Sequence, residues 1–105
     1  MRNYRIIVNY EIRSGLEEKA IHFIETEVYK MAKDCGCHDL ELWLDEDSSL
    51  HLIGTGLWDS LKAIERFDDL LLSKRELFLK YFTDIPSRQS FKILKKEIKN
   101  TRKAA

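Results

Sequence analysis

The residues with the most chemical potential in this chain are scattered. Trp58 closes a run of apolar and glycine residues, Leu50 to Trp58, and is followed at once by Asp59-Ser60. An indole there is either a lid and hydrogen-bond donor over a bound molecule or a core residue closing one end of the fold. Asn9 lies within an alternating apolar stretch, where it is a pocket donor or a strand-edge residue. His22 follows Ile21 beside an apolar helical stripe, where it is a general base titrating near neutrality or a boundary residue. Tyr10 and Tyr81 could hydrogen-bond a bound molecule, and fit equally well as aromatic core with wet hydroxyls.

Two further clusters invite a sharper reading. Cys35, Cys37 and His38 place three potential metal ligands within four residues. A structural zinc site wants four ligands, usually from cysteine pairs two or more residues apart, and His51 is the one plausible addition. No metal is expected, and a disulfide across a single residue would be strained. The lysines at 92, 95, 96 and 99 could meet RNA phosphates, but the aromatic signature of RNA-recognition domains is absent from the first and third strands. No nucleic-acid partner is expected.

Composition sets the limits on these readings. In 105 residues there is room for one domain with one core. Lys+Arg and Asp+Glu balance at 18 each, so no global field attracts nucleic acid or an anionic membrane. Locally, residues 39–47 hold five acids and no base, and residues 88–103 hold seven bases against Glu97. No apolar run reaches the roughly 18 residues of a membrane span. The start has no apolar core of a signal peptide, so a cytoplasmic protein is expected.

The elements that must position these residues follow from periodicity. Tyr4 to Ile12 alternates as a strand, with Tyr4, Ile6, Val8 and Tyr10 on one face and Arg5, Ile7, Asn9 and Glu11 on the other. Ser14-Gly15-Leu16-Glu17 has the form of a capping box. The helix it opens carries Leu16, Ala20, Phe23, Ile24, Val28, Met31 and Ala32 as one stripe, stopped by Gly36. Asp39–Asp45 and Leu50–Trp58 form an antiparallel hairpin across a polar turn. Gly54 and Gly56 leave room for a close approach, or for a bulge.

Asp59 or Ser60 caps the next helix, which carries Leu61, Ile64, Phe67 and Leu71. Ser73-Lys74-Arg75-Glu76 repeats the capping-box pattern, so a break near Ser73 and a further helix through Phe78 and Tyr81 are expected. A last strand is expected over Ser90–Ile98. The ordered core is placed at residues 4–98 and a disordered tail at 99–105. The order βαββαβ gives an α+β, ferredoxin-like fold with a four-stranded antiparallel sheet. Helices cover one face of such a sheet. Apolar side chains on both faces of the third strand, together with Trp43, imply a twin subunit on the other.

A strand leading through Arg13-Ser14-Gly15 into a long helix, then Leu57-Trp58-Asp59-Ser60 leading to Ala63 and Phe67, resembles the antibiotic biosynthesis monooxygenase family. The resemblance spans roughly Ile6 to Ile98, with Lys62 where the family commonly has Glu. It implies a dimeric α/β barrel. It also implies a monooxygenase-like activity without metal or flavin on a small aromatic or quinone-like molecule held between helices and sheet. Trp58 and Asn9 would then act on the substrate, with His22 a remote third, and Tyr10, Phe67, Phe78 and Tyr81 would line the pocket. That reading expects a closed apolar pocket of about 300 Å³ or more beside Trp58, Phe67 and Phe78. A non-catalytic dimeric module of the same fold expects a filled core there. The family's haem degraders pair an Asn and the Trp with a His that has no counterpart between Asp59 and Ser87. Gly54 stands where its polyketide oxygenases carry Asn. Neither specific chemistry is therefore implied.

Overall fold

Alternation in the first strand sets the frame. In the computed structural model, which describes residues 3–94, β1 (Tyr4–Glu11) buries Ile6, Val8 and Tyr10 against the helices. Its odd-numbered residues face the opposite side of the sheet. β1 pairs antiparallel with β3 (Ser48–Trp58), with Tyr4 opposite Trp58 and Tyr10 opposite Leu52. β2 (His38–Asp45) forms the expected hairpin with β3 across Glu46-Asp47. β4 (Ser87–Lys92) pairs with the free side of β1. The sheet order is β2-β3-β1-β4, all antiparallel, which is the ferredoxin-like topology.

The first helix departs from the regular stripe. It runs as α1 (Glu17–Phe23), a π-helical turn (Ile24–Val28) and α2 (Tyr29–Asp34), in one continuous right-handed path. Thr26 Oγ1 donates to the His22 carbonyl at 2.8 Å and so competes with the backbone ladder within that turn. The expected capping box does not form. Leu16 occupies the cap position with no side-chain bond, because the chain turns at Gly15 with φ +87° and leaves Ser14 exposed. Gly36, at φ +104°, ends α2 as expected.

Ser60 caps α3 (Leu61–Ser73) by accepting from the Ala63 amide at 3.2 Å. The break falls at Lys74, before α4 (Arg75–Tyr81). There the second capping box also fails, since the Ser73 hydroxyl donates back to the Leu70 carbonyl at 2.7 Å. The β2–β3 pairing is irregular in two places: extra residues lie in β3 between the Leu44–Leu52 and Asp45–Ser48 pairs, and an extra residue lies in β2 opposite Gly56. Asp39 takes φ +50° and the register shifts between His38 and Glu41. The last strand begins three residues before its expected start and ends at Lys92, so Ile93 and Leu94 fall outside it. Its expected continuation to Ile98, the lysines beyond Lys92 and the tail 99–105 lie outside the described residues. Among the described residues, no helix is long and apolar enough to cross a membrane.

The helices cover one face of the sheet. On the other, Ile7 and Ile53 are half-buried, and Trp43 and Phe91 are each 47% exposed. This face is the open apolar surface that the two-sided pattern of β3 implies.

Candidate functional site

Two glycines open a small cavity between the first helix and the sheet. A Cβ at Gly54 would lie 3.1 Å from the Tyr10 ring, and one at Gly56 would collide with Cys37 Sγ. Gly56 is required by what packs over it, and Gly54 gives the Tyr10 ring its close approach. Ile6, Val8 and Tyr10 of β1 complete the floor. Val28, Tyr29 and Ala32 come down from the first helix, the first from the π turn itself and the other two from the α2 turn after it. Trp58 and Phe67 close one end, with ring centroids 5.1 Å apart and planes at 45°. The cavity volume is about 20 Å³, room for a guest the size of one water.

The lining is apolar with a few hydroxyl and thiol groups. Among the described residues, the Tyr29 hydroxyl is a buried side-chain oxygen with no hydrogen-bond partner. Burial pushes the Tyr29 hydroxyl up to about 12, with Glu25, Cys37 and Glu41 adding to the effect. It raises Tyr10 as well, Tyr29 contributing. The Cys37 thiol is likewise pushed up to about 12, chiefly by burial. All three therefore hold their protons across the physiological range.

The sequence candidates divide into three places. Trp58, Phe67 and Tyr10 line the cavity. Phe78 is not among its lining residues, so the cavity at Trp58 and Phe67 lacks the Phe78 wall expected from the sequence. Phe78 belongs to a separate aromatic cluster in which it meets Phe23 edge-on at 5.2 Å, while Tyr81 stacks on Phe23 at 5.1 Å. Tyr10 bridges the two regions through Phe82, at 5.3 Å. His22 is exposed and lies with Tyr81 in an open surface groove, away from Trp58.

Asn9 is on the far face of the sheet, because β1 and β3 pair without a slip and place odd residues there. Its Oδ1 lies 3.1 Å from His51 Nε2, and His51 Nδ1 lies 2.9 Å from Asp45 Oδ2. The His51 hydrogen bond, together with one from the Asp47 amide, holds the Asp45 carboxyl below its usual range. His51 is thus engaged away from Cys35 and Cys37, while His38 Nε2 sits 3.7 Å from Asp59. No group of three or more potential metal ligands converges among the described residues.

The sequence reading missed Tyr29 and the Asp45–His51–Asn9 chain. Tyr29 follows Val28 in the stripe, and that adjacency was its one visible signal. The chain of polar residues depends on strand register and had none.

No family model matches the sequence, and no curated protein matches it. Solved structures do match in fold. A candidate antibiotic biosynthesis monooxygenase from Bordetella bronchiseptica aligns with TM-score 0.73 at 13% identity, covering 90% of this chain and 99% of that one. SnoaB, a cofactor-independent oxygenase from Streptomyces nogalater, aligns with TM-score 0.72 at 11% identity, covering 91% and 97%. A dimeric ferredoxin-like protein from an uncultured marine organism aligns with TM-score 0.69 at 9% identity, covering 94% of each. The chain has the fold of these proteins over nearly its whole described length.

Proposed function

We propose that this chain is a homodimeric, cofactor-independent monooxygenase-like protein that takes a small aromatic or quinone-like molecule into the cavity beside Trp58. The observation that carries this reading is the Tyr29 hydroxyl, buried and without a partner among the described residues, on a side chain that lines a mostly apolar cavity. A buried polar group without a partner costs about 1–3 kcal/mol, and an oxygen of a guest removes that cost. The π-helical turn beside it adds support, since such turns recur where helices are shaped for function. A fold shared with SnoaB supports the class of activity. The open apolar face with Trp43, Ile53 and Phe91 supports pairing with a second copy.

The volume demands more. A benzene-sized ring needs about 150 Å³, several times the 20 Å³ present. Binding therefore requires the cavity to open. A second reading, a non-catalytic dimeric module with a filled core, is favoured by that same volume, which is far below what a preformed substrate pocket needs.

Thermal denaturation with a panel of phenols, quinols and quinones separates the two readings. Binding raises the midpoint in a concentration-dependent way, and oxygen uptake with a binding compound should fall sharply in Trp58→Phe. A panel without any shift leaves the filled core standing, and a full rate in Trp58→Phe removes the indole from the chemistry.

A further inference from the structure

We infer that the cavity between the first helix and the sheet admits its guest in the uncharged form, as a neutral carbonyl compound or an un-ionised phenol whose oxygen accepts a hydrogen bond from Tyr29. This rests on the small-molecule reading above and narrows it. None of the residues lining the cavity carries a formal charge, and no histidine is among them. An anion entering there would lose its hydration with no cation in return, which is the most expensive way to bury a polar group.

The nearest charges point the same way. Glu25 acts on Tyr29 and Asp39 on Cys37, both negative, while Glu41, opposite Thr55 and bonded to Trp43 Nε1, acts on Tyr29 from the opposite side of the sheet. The cation beside the cavity wall is Arg5, but its Nη1 donates to Thr55 Oγ1 at 3.0 Å from the opposite side of the sheet. Arg66 acts on Cys35, which does not line the cavity. Tyr10 and Tyr29 keep their protons, and the Tyr29 hydroxyl has no partner among the described residues, so it calls for an acceptor on the guest. The Cys37 thiol also keeps its proton but donates a hydrogen bond to the His38 carbonyl at 3.7 Å. These features hold whichever side chain gives way when the cavity opens. A step that begins from a substrate anion would then need its proton removed outside this cavity, since no base lines it.

Two probes test this. One is tetramethyl-1,4-benzoquinone, which does not ionise and is blocked against thiol addition. The other is 4-nitrophenol, which ionises near neutrality with a change of colour. Dissociation constants for both are measured by equilibrium dialysis at pH 5.5 and pH 8.5. The quinone should bind equally at both values. The nitrophenol should bind at least about tenfold more weakly at pH 8.5, and its bound fraction should keep the absorption of the neutral phenol. Tyr29→Phe should weaken the quinone by about three- to tenfold, the span of one hydrogen bond. Equal or tighter binding of the nitrophenolate, with an anion spectrum, overturns the inference and leaves the small-molecule reading intact. Failure of both probes to bind wild-type protein overturns that reading, and this one with it.

Discussion

Replacing Gly56 by alanine tests the packing that shapes the cavity. The new methyl would collide with Cys37 Sγ and lie 3.2 Å from a Leu40 methyl, in a buried strand already paired on both sides. Overpacking of this kind costs about 1–3 kcal/mol. Loss of glycine freedom in the unfolded chain returns about 0.4–1 kcal/mol, because Gly56 does not occupy the left-handed region. Gly56→Ala alone should therefore destabilise by about 1–2 kcal/mol. Cys37→Ala alone removes a buried sulfur and should cost about 1 kcal/mol. In the double mutant the new methyl occupies the space the sulfur left. The pair should then cost at least about 1 kcal/mol less than the two single changes together. Urea unfolding at fixed protein concentration measures all four proteins. Additivity to within about 0.5 kcal/mol would mean that Cys37 does not sit over Gly56, and would refute this account of the cavity.

Other expectations follow from single residues. With its thiol near 12, Cys37 is ionised to only about one part in ten thousand at pH 8, so a thiolate-directed reagent should leave it unmodified until denaturant is added. Asp45 has a depressed pKa, so its stabilising effect is complete above the unfolded carboxylate value and is lost as pH falls through the folded one. The stability gap between wild type and Asp45→Asn should accordingly shrink toward zero as unfolding is measured from pH 6 down to pH 2.5. Ser60→Ala removes the α3 cap and should cost about 1 kcal/mol in the same unfolding assay. Ile53→Glu places a charge on the open sheet face and, if that face pairs with a second copy as proposed, should lower the sedimentation coefficient from that of a dimer to that of a monomer without lowering helical content.

Which features could be read from the sequence follows from what each element buries. β1 and β3 were legible because one face meets the helices, so their alternation is enforced by burial. The α3–α4 break was legible from Ser73-Lys74-Arg75-Glu76, although Ser73 marks it by donating back to the Leu70 carbonyl and not by capping α4. Ser87-Arg88-Gln89 carried no strand signal. On a two-residue-deep exposed edge, polar side chains cost nothing on either face. The π turn left composition and apolar spacing intact, so Thr26 was its one local mark. The site was legible only as a list. Apolar spacing marks Phe78, Tyr81 and Phe67 as inward-facing, but it does not tell which cluster each joins. Strand parity could separate Asn9 from Trp58, but only once the pairing register was known.

The sheet order also constrains how the molecule is built. β1 leaves the ribosome before the other strands and lies in the interior of the sheet, with both its neighbours made later, β3 after residue 47 and β4 after residue 86. During synthesis the earliest strand therefore waits with unpaired amides on both edges until its distant partners emerge, a history of long loop closures that slows folding. A chain released before Ser87 would keep Arg5, Ile7 and Asn9 on a strand still open along one side, ready to pair with another chain.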